Sequence, residues 1–264
     1  MLYGSTGSGK VFVATFPQGK YIGTLHVPGG KSVGLCSDKS GNVFVPAQSS
    51  GLATIYEFNH DGQLIAGLSD PGPAMGCSVD PLTGNLAVAD GKSGVAVYAN
   101  AQGGATMLTS SPAYSCTYDE SGNLFVGESF NLVGLGEYPK KGKFKSISLK
   151  TIGDANDHGT NIQWDGKYVA VTYLPSKGNI TVYRVKVSGS SGTIASTVTL
   201  DSKTKAESGY EPFSWIQGKD IVLPISQNGQ HLGMWGYPKG GKIKENISAQ
   251  GFTVLGETVS VATQ

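Results

Sequence analysis

One phrase recurs along the chain and limits its fold more than any other feature. Residues 76–90 read GCSVDPLTGNLAVAD: a short apolar run, an aspartate, a turn carrying Gly84 and Asn85, then a second apolar run. Related phrases begin at Leu35 (LCSDKSGNVFV), Ser115 (SCTYDESGNLFV) and Asn161 (NIQWDGKYVAV), with weaker copies at Phe213 (FSWIQGKDIVL) and Phe252 (FTVLGETVSVA). A unit this small cannot bury a core alone, so its copies must stack. Repeats built from strands and short turns point to a propeller. The aligned turn glycines Gly41, Gly84, Gly122, Gly166, Gly218 and Gly256 lie 38–52 residues apart, which suits blades of about 40 residues.

Each unit is followed by a second hairpin with period-two alternation, as in ATIYEFNHDGQLIAGL from Ala53 and GVAVYANAQGGATML from Gly94. Tyr56, Tyr98, Tyr138, Tyr183 and Tyr237 hold like positions in its first strand, with Phe16 their counterpart near the N-terminus. Aromatics there suit packing between neighbouring sheets. The chain opens with such a hairpin (residues 10–27) and closes with a unit of the first kind (residues 252–262). The expectation is an all-β fold: a six-bladed β-propeller of four-stranded blades, a single domain over residues 1–264. The N- and C-terminal strands share the closing blade, two from each end, which leaves few unpaired edges.

The phrase GCSVDPLTGNLAVAD with the following GVAVYANAQG resembles the NHL repeat and its bacterial relatives, in which a G-x-A-V-D strand, a G-N turn and a further strand precede a V-x-V-F-D/N-x-x-G hairpin. The resemblance covers essentially the whole chain, is plainest at Leu35, Gly76 and Ser115, and fades after Asn161. It implies a fold rather than an activity: NHL-like propellers include protein-binding, RNA-binding and lyase members, and related six-bladed propellers include metal-dependent lactonases.

Composition narrows the partners. The net charge is +1, 15% of residues are charged, and Arg184 is the one arginine. Readers of phosphate and base edges lean on arginine's bidentate fork, so nucleic acid is not expected. No apolar run approaches the roughly 18 residues that span a membrane. Sparse charge with abundant Gly, Ser and Thr, in a chain that starts mid-repeat, suggests a secreted or periplasmic protein with its leader upstream. A monomer is expected. Cys36, Cys77 and Cys116 fall in the first strands of their units, and are read as small buried hydrophobes. An odd number on separate strands is a poor disulfide framework, and a metal trio would lack close C-x-x-C pairing.

Propeller loops from strand four to the next strand one, and from strand two to strand three, share a face around the channel, where function usually sits. The densest polar cluster there is GDANDHGTN, residues 153–161. Asp154, Asn156 and Asp157 offer oxygens to a hard cation, and His158 a general base, yet the spacing is not that of a calcium loop. The plainer reading is a turn capped by its own Asp and Asn. Glu128, Tyr210, Glu211, Gln227 and His231 share the face assignment. With Asp154, Asn156, Asp157 and His158 they form the candidate binding surface for an unidentified small ligand or protein; no catalytic residue, metal site or cofactor is assigned. The alternative is a metal-dependent lyase or lactone hydrolase at the channel mouth, with Asn161 and Asp157 in two ligand roles and no glutamate clearly in the third. A scaffolding module of a larger exported protein is a third class. Lys140, Lys141, Lys143, Lys145, Lys239, Lys242 and Lys244 crowd the turns of the opposite rim, where exposed lysines guard strand edges.

Overall fold

The computed structural model describes residues 1–49, 52–128, 134–149, 158–175, 178–202, 213–225 and 230–261. The recurring phrase folds as a hairpin for a local reason. Asp80 Oδ1 accepts the Leu82 N–H at 2.9 Å, and Oδ2 accepts the Thr83 hydroxyl at 2.6 Å. Gly84 then turns the chain back at φ +74°, a conformation open to glycine at little cost. Asp38 and Asp119 repeat the device, each binding two backbone N–H groups and the side-chain amide of Asn42 or Asn123. The spacing, D-x-x-G-N at Asp38 and Asp119 and D-x-x-x-G-N at Asp80, is thus an aspartate cap closed by a left-handed glycine.

Hairpins of this kind assemble into an all-β, propeller-like fold, with one 3₁₀ turn, Ala99–Ala101, as the only helix among the described residues. Strands Val254–Val259, Leu2–Thr6, Lys10–Ala14 and Tyr21–His26 form one antiparallel sheet. In the next, Lys31–Ser32 and Cys36–Ser37 pair with Val43–Ser49, followed by Leu52–Phe58 and Leu64–Asp70. Gly76–Val79, Leu86–Ala89, Val95–Tyr98 and Thr106–Leu108 make a third. A nine-stranded sheet follows. It runs Ser115–Tyr118, Leu124–Gly127, Leu135–Tyr138, Lys145–Leu149, and on through Ser191–Asp201, Ile180–Ser188 and Val169–Leu174 to His158–Trp164, with Gly241–Lys242 paired to Ser191–Asp201. Trp215–Gln217, Asp220–Pro224, His231–Gly236 and Glu245–Ser248 form the last.

The termini share a sheet, as expected, but the split is three strands to one. The stretch LYGST, which looks like a Gly/Ser lead-in, is a wholly buried strand. Its turn glycine is Gly9, at φ +72°. Gly256, expected to be a turn, lies mid-strand opposite Ser5. Close approach explains the residue: a Cβ on Gly256 would stand 2.5 Å from the Val33 carbonyl oxygen.

The cysteine expectation also needs correcting. Cys36 and Cys77 sit on first strands of adjacent sheets with Cα atoms 5.5 Å apart and form a disulfide, within the range such a bond requires. Cys116 is a free, buried thiol, its pKa pushed up by burial. The aromatic expectation holds at Tyr98 and Tyr237. Tyr98 is fully buried and donates its hydroxyl to the Asp70 carboxylate of the preceding sheet at 2.6 Å. Tyr237 donates to Asp165 at 2.5 Å. The turn lysines are all exposed.

Candidate functional site

The innermost strands ring an axial cavity of about 140 Å³, lined by Ser78, Ser115, Thr117, Asn161, Ser214 and Glu257 among others. Most of its polar side chains are occupied in joining neighbouring sheets. Ser78 Oγ accepts the Tyr118 N–H at 3.0 Å, and Thr117 Oγ1 accepts the Trp164 N–H at 2.8 Å. Gln163 bonds both the N–H and the carbonyl of Ile216. Asn161 binds the Ser214 carbonyl through its Nδ2, while its Oδ1 takes both the N–H and the hydroxyl of Ser214. Ser37 donates to the Val259 carbonyl and accepts from Thr258. These bonds close the ring; they are structural before they are functional.

Glu257 is the exception. It is 1% exposed, lines the cavity, and neither carboxyl oxygen meets a donor at hydrogen-bond geometry. Burial holds its pKa well above the usual carboxylate range, and the Trp215 backbone N–H offsets only part of that. A carboxyl so placed is carried neutral. Sequence reasoning passed over it because Gly256 was taken for a turn, which moved Glu257 away from the axis. No sequence signal marked it: Gly-Glu-Thr reads as a polar turn, and it is the structure that shows Gly256–Val259 buried in succession.

Below the cavity, on the side of the aspartate turns, a second opening of about 450 Å³ is walled by Val79, Pro81, Tyr118 and Trp164. Asp38, Asp80 and Asp119 rim it, but their carboxylates are committed to turn caps.

On the loop-rich face the candidate residues fare differently. Glu128 closes the end of strand Leu124–Gly127 and accepts the Ser111 hydroxyl, from the neighbouring sheet's loop, at 2.7 Å. Its backbone N–H bonds the Gly134 carbonyl at 2.9 Å. A Cβ at Gly136 would come within 2.9 Å of Glu128 Oε1, so glycine makes room for the folded-back carboxylate. His158 begins the innermost strand His158–Trp164. His231 begins a third strand, Nδ1 3.0 Å from Asn246 Oδ1. Asp154, Asn156, Asp157, Tyr210, Glu211 and Gln227 lie outside the described residues. Arg184, the chain's one arginine, is engaged within its own sheet, with Nε 2.6 Å from Asp165 Oδ2 and its guanidinium 4.7 Å from the Tyr168 ring. No described helix is long and apolar enough to cross a membrane.

No family model matches the chain, and no curated protein matches its sequence. Solved structures do match it in shape. A streptogramin B lyase structure aligns at a TM-score of 0.55 and 15% identity, covering 85% of this chain and 70% of that one. A functionally unknown protein from Desulfotomaculum acetoxidans DSM 771 aligns at 0.62 and 9% identity, over 98% of this chain and 85% of the other. A protein of unknown function from Bacteroides caccae aligns at 0.67 and 13% identity, over 97% of each chain. At such identities the likeness speaks for the fold, a β-propeller, and for nothing further.

Proposed function

We propose that the chain is a six-bladed, NHL-like propeller of one domain, a monomer, and a binding module that takes a small ligand or protein partner on its loop-rich face. Six blades follow if the nine-stranded sheet is two blades touching at their outer edges. Among the described residues its halves are paired as strands only through two parallel residue pairs, Ser148 and Leu149 against Ser191 and Gly192, and each half is a four-stranded antiparallel meander. The Cys36–Cys77 bond supports an oxidising, exported setting.

The observation that carries the binding reading is Glu128. It is the half-buried carboxylate on that face, fixed between two sheets by Ser111, and a preordered charge loses little freedom on binding. The partner surface comprises Glu128 with Asp154, Asn156, Asp157, His158, Tyr210, Glu211, Gln227 and His231. A metal-dependent lyase or hydrolase is the competing reading, favoured by Glu257, a channel glutamate of the kind the lactonase comparison asks for. Its surroundings do not fit a metal: Asn161 Oδ1 is bound to Ser214, and among the described residues no three His, Cys, Asp or Glu side chains are grouped to hold an ion.

A panel of oligosaccharides, lactones and peptides screened by thermal shift tests the proposal. Compounds that stabilise the protein should lose at least about tenfold in affinity, some 1.4 kcal/mol, when Glu128 becomes Ala. The melting temperature of the free variant should stay within a few degrees of wild type. Binding indifferent to Glu128→Ala, or turnover of any compound, would overturn it.

A further inference from the structure

A pair of buried carboxyls lies beneath the loop-rich face, at the ends of strand Leu64–Asp70 of one sheet and Leu86–Ala89 of the next. Asp70 and Asp90 are both wholly shielded from solvent. Asp70 is well supplied with donors: the Gly72 N–H on Oδ1 at 2.9 Å and the Tyr98 hydroxyl on Oδ2 at 2.6 Å. Asp90 has no donor on either oxygen; the polar group it faces is Asp70, an acceptor. Gly72 packs directly against Asp90: a Cβ there would stand 2.6 Å from Asp90 Cγ. Two ionised carboxylates cannot share such a place. The arrangement balances only if Asp90 carries a proton and donates it to Asp70.

We propose that Asp90 is held as the neutral acid, hydrogen-bonded to Asp70, and that this one proton latches the loops 71–75 and 91–94 of the loop-rich face. Three loops converge on it. Gly72 ties the first loop to Asp70, and the Met75 N–H bonds the Ala89 carbonyl at 2.8 Å. The second is pinned by Asp90 N–H to the Gly94 carbonyl and by Ser93 N–H to the Asp90 carbonyl. Gly91 and Ala113 exchange both backbone bonds, at 2.7 and 2.8 Å, which carries the contact to the loop of the following sheet. The titratable groups facing Asp90 are Asp70 from strand Leu64–Asp70, Tyr98 from Val95–Tyr98 and Cys116 from Ser115–Tyr118. None is a cation, so nothing there compensates a second negative charge. Burial first, and then Asp70, push the Asp90 acid up to about 8.

The sign of the pH effect follows. With its pKa raised in the closed state, Asp90 gives that state an extra proton from about pH 4 to about pH 8. The latch therefore weakens as pH rises through that window and weakens no further above it. Amide exchange in the full-length protein reads this directly at Gly72, Gly91, Ser93 and Gly94. After correction for intrinsic base catalysis, protection there should fall by up to about tenfold per pH unit, then level near pH 8. Asp90→Asn, which keeps a donor and cannot ionise, should make these amides insensitive to pH. Glu257 also titrates upward, so amides of the distant strand Asp220–Pro224 report the global part and should change alike in both proteins. Loop amides that keep their pH dependence in Asp90→Asn, or show none in wild type, would overturn the latch. Should Asp90→Asn not fold, the infrared carbonyl band of a neutral carboxyl decides the question in Glu257→Gln protein. It is expected near pH 6 and lost near pH 10; its absence near pH 6 refutes the proposal.

Discussion

Removal of residues 253–264 should leave a protein that does not hold a cooperative fold at room temperature. The deletion takes away strand Val254–Val259, the innermost of the sheet shared between the termini, and exposes the full edge of Leu2–Thr6. Buried Val254 and Val259 are lost, at roughly 2–4 kcal/mol for each large side chain stripped from a core. So are the bonds that tie this strand to its neighbours. Ser37 donates to the Val259 carbonyl, Phe213 N–H bonds the Leu255 carbonyl, and Ser260 joins His60 and the Gly41 carbonyl. Against a domain stability of about 5–15 kcal/mol, the sum consumes most or all of the margin. Urea unfolding followed by fluorescence, with size exclusion in parallel, checks this. A truncated chain that stays monomeric and melts within a few degrees of wild type would show that the C-terminal strand does not close the ring.

The disulfide should have the next largest effect. Cys36 and Cys77 close a loop of 41 residues, for which the chain-entropy account gives about 4 kcal/mol. In a domain of this size that is about 8–16 °C in melting temperature. Reduction, or the Cys36→Ala, Cys77→Ala double variant, should lower the midpoint by that order, while Cys116→Ala should act only through packing. Thiol titration of the unreduced, denatured chain should count one free thiol. Three would refute the bond.

The parts of the fold that were legible in the sequence are those set by local chemistry. An aspartate that caps its own turn and a glycine at positive φ leave a spacing, and the hairpins around Asp38, Asp80 and Asp119 follow from it. Tyr98 and Tyr237 were readable because a large aromatic at a repeating position has one economical place to go, between sheets. What escaped depends on how separate sheets meet. The Cys36–Cys77 pairing arises from two strands of different sheets standing side by side, which no spacing along the chain records. Leu2–Thr6 looks like a linker because its Gly4 and Ser5 serve close strand contact rather than flexibility. Glu257 and Asp90 hide for a similar reason: their significance lies in what does not face them. Of the nine site residues expected, Glu128 and His231 have described side-chain partners, and both bond within or between sheets.

One measurement bears most directly on whether the chain is a binding module or a metal-dependent enzyme. The full-length protein, stripped with chelator, is melted with and without Ca²⁺, Mg²⁺ or Mn²⁺, beside Glu257→Gln and Asp157→Ala. The binding account predicts no metal-dependent change in any of the three proteins, because Glu257, the unpartnered channel carboxyl among the described residues, is buried neutral and its neighbours' oxygens are engaged. A cation held at a hundred times its dissociation constant would add about 2.7 kcal/mol, or roughly 5 °C and upward. A shift of that size in wild type, abolished by Glu257→Gln or Asp157→Ala, would contradict the account and make the channel a metal centre.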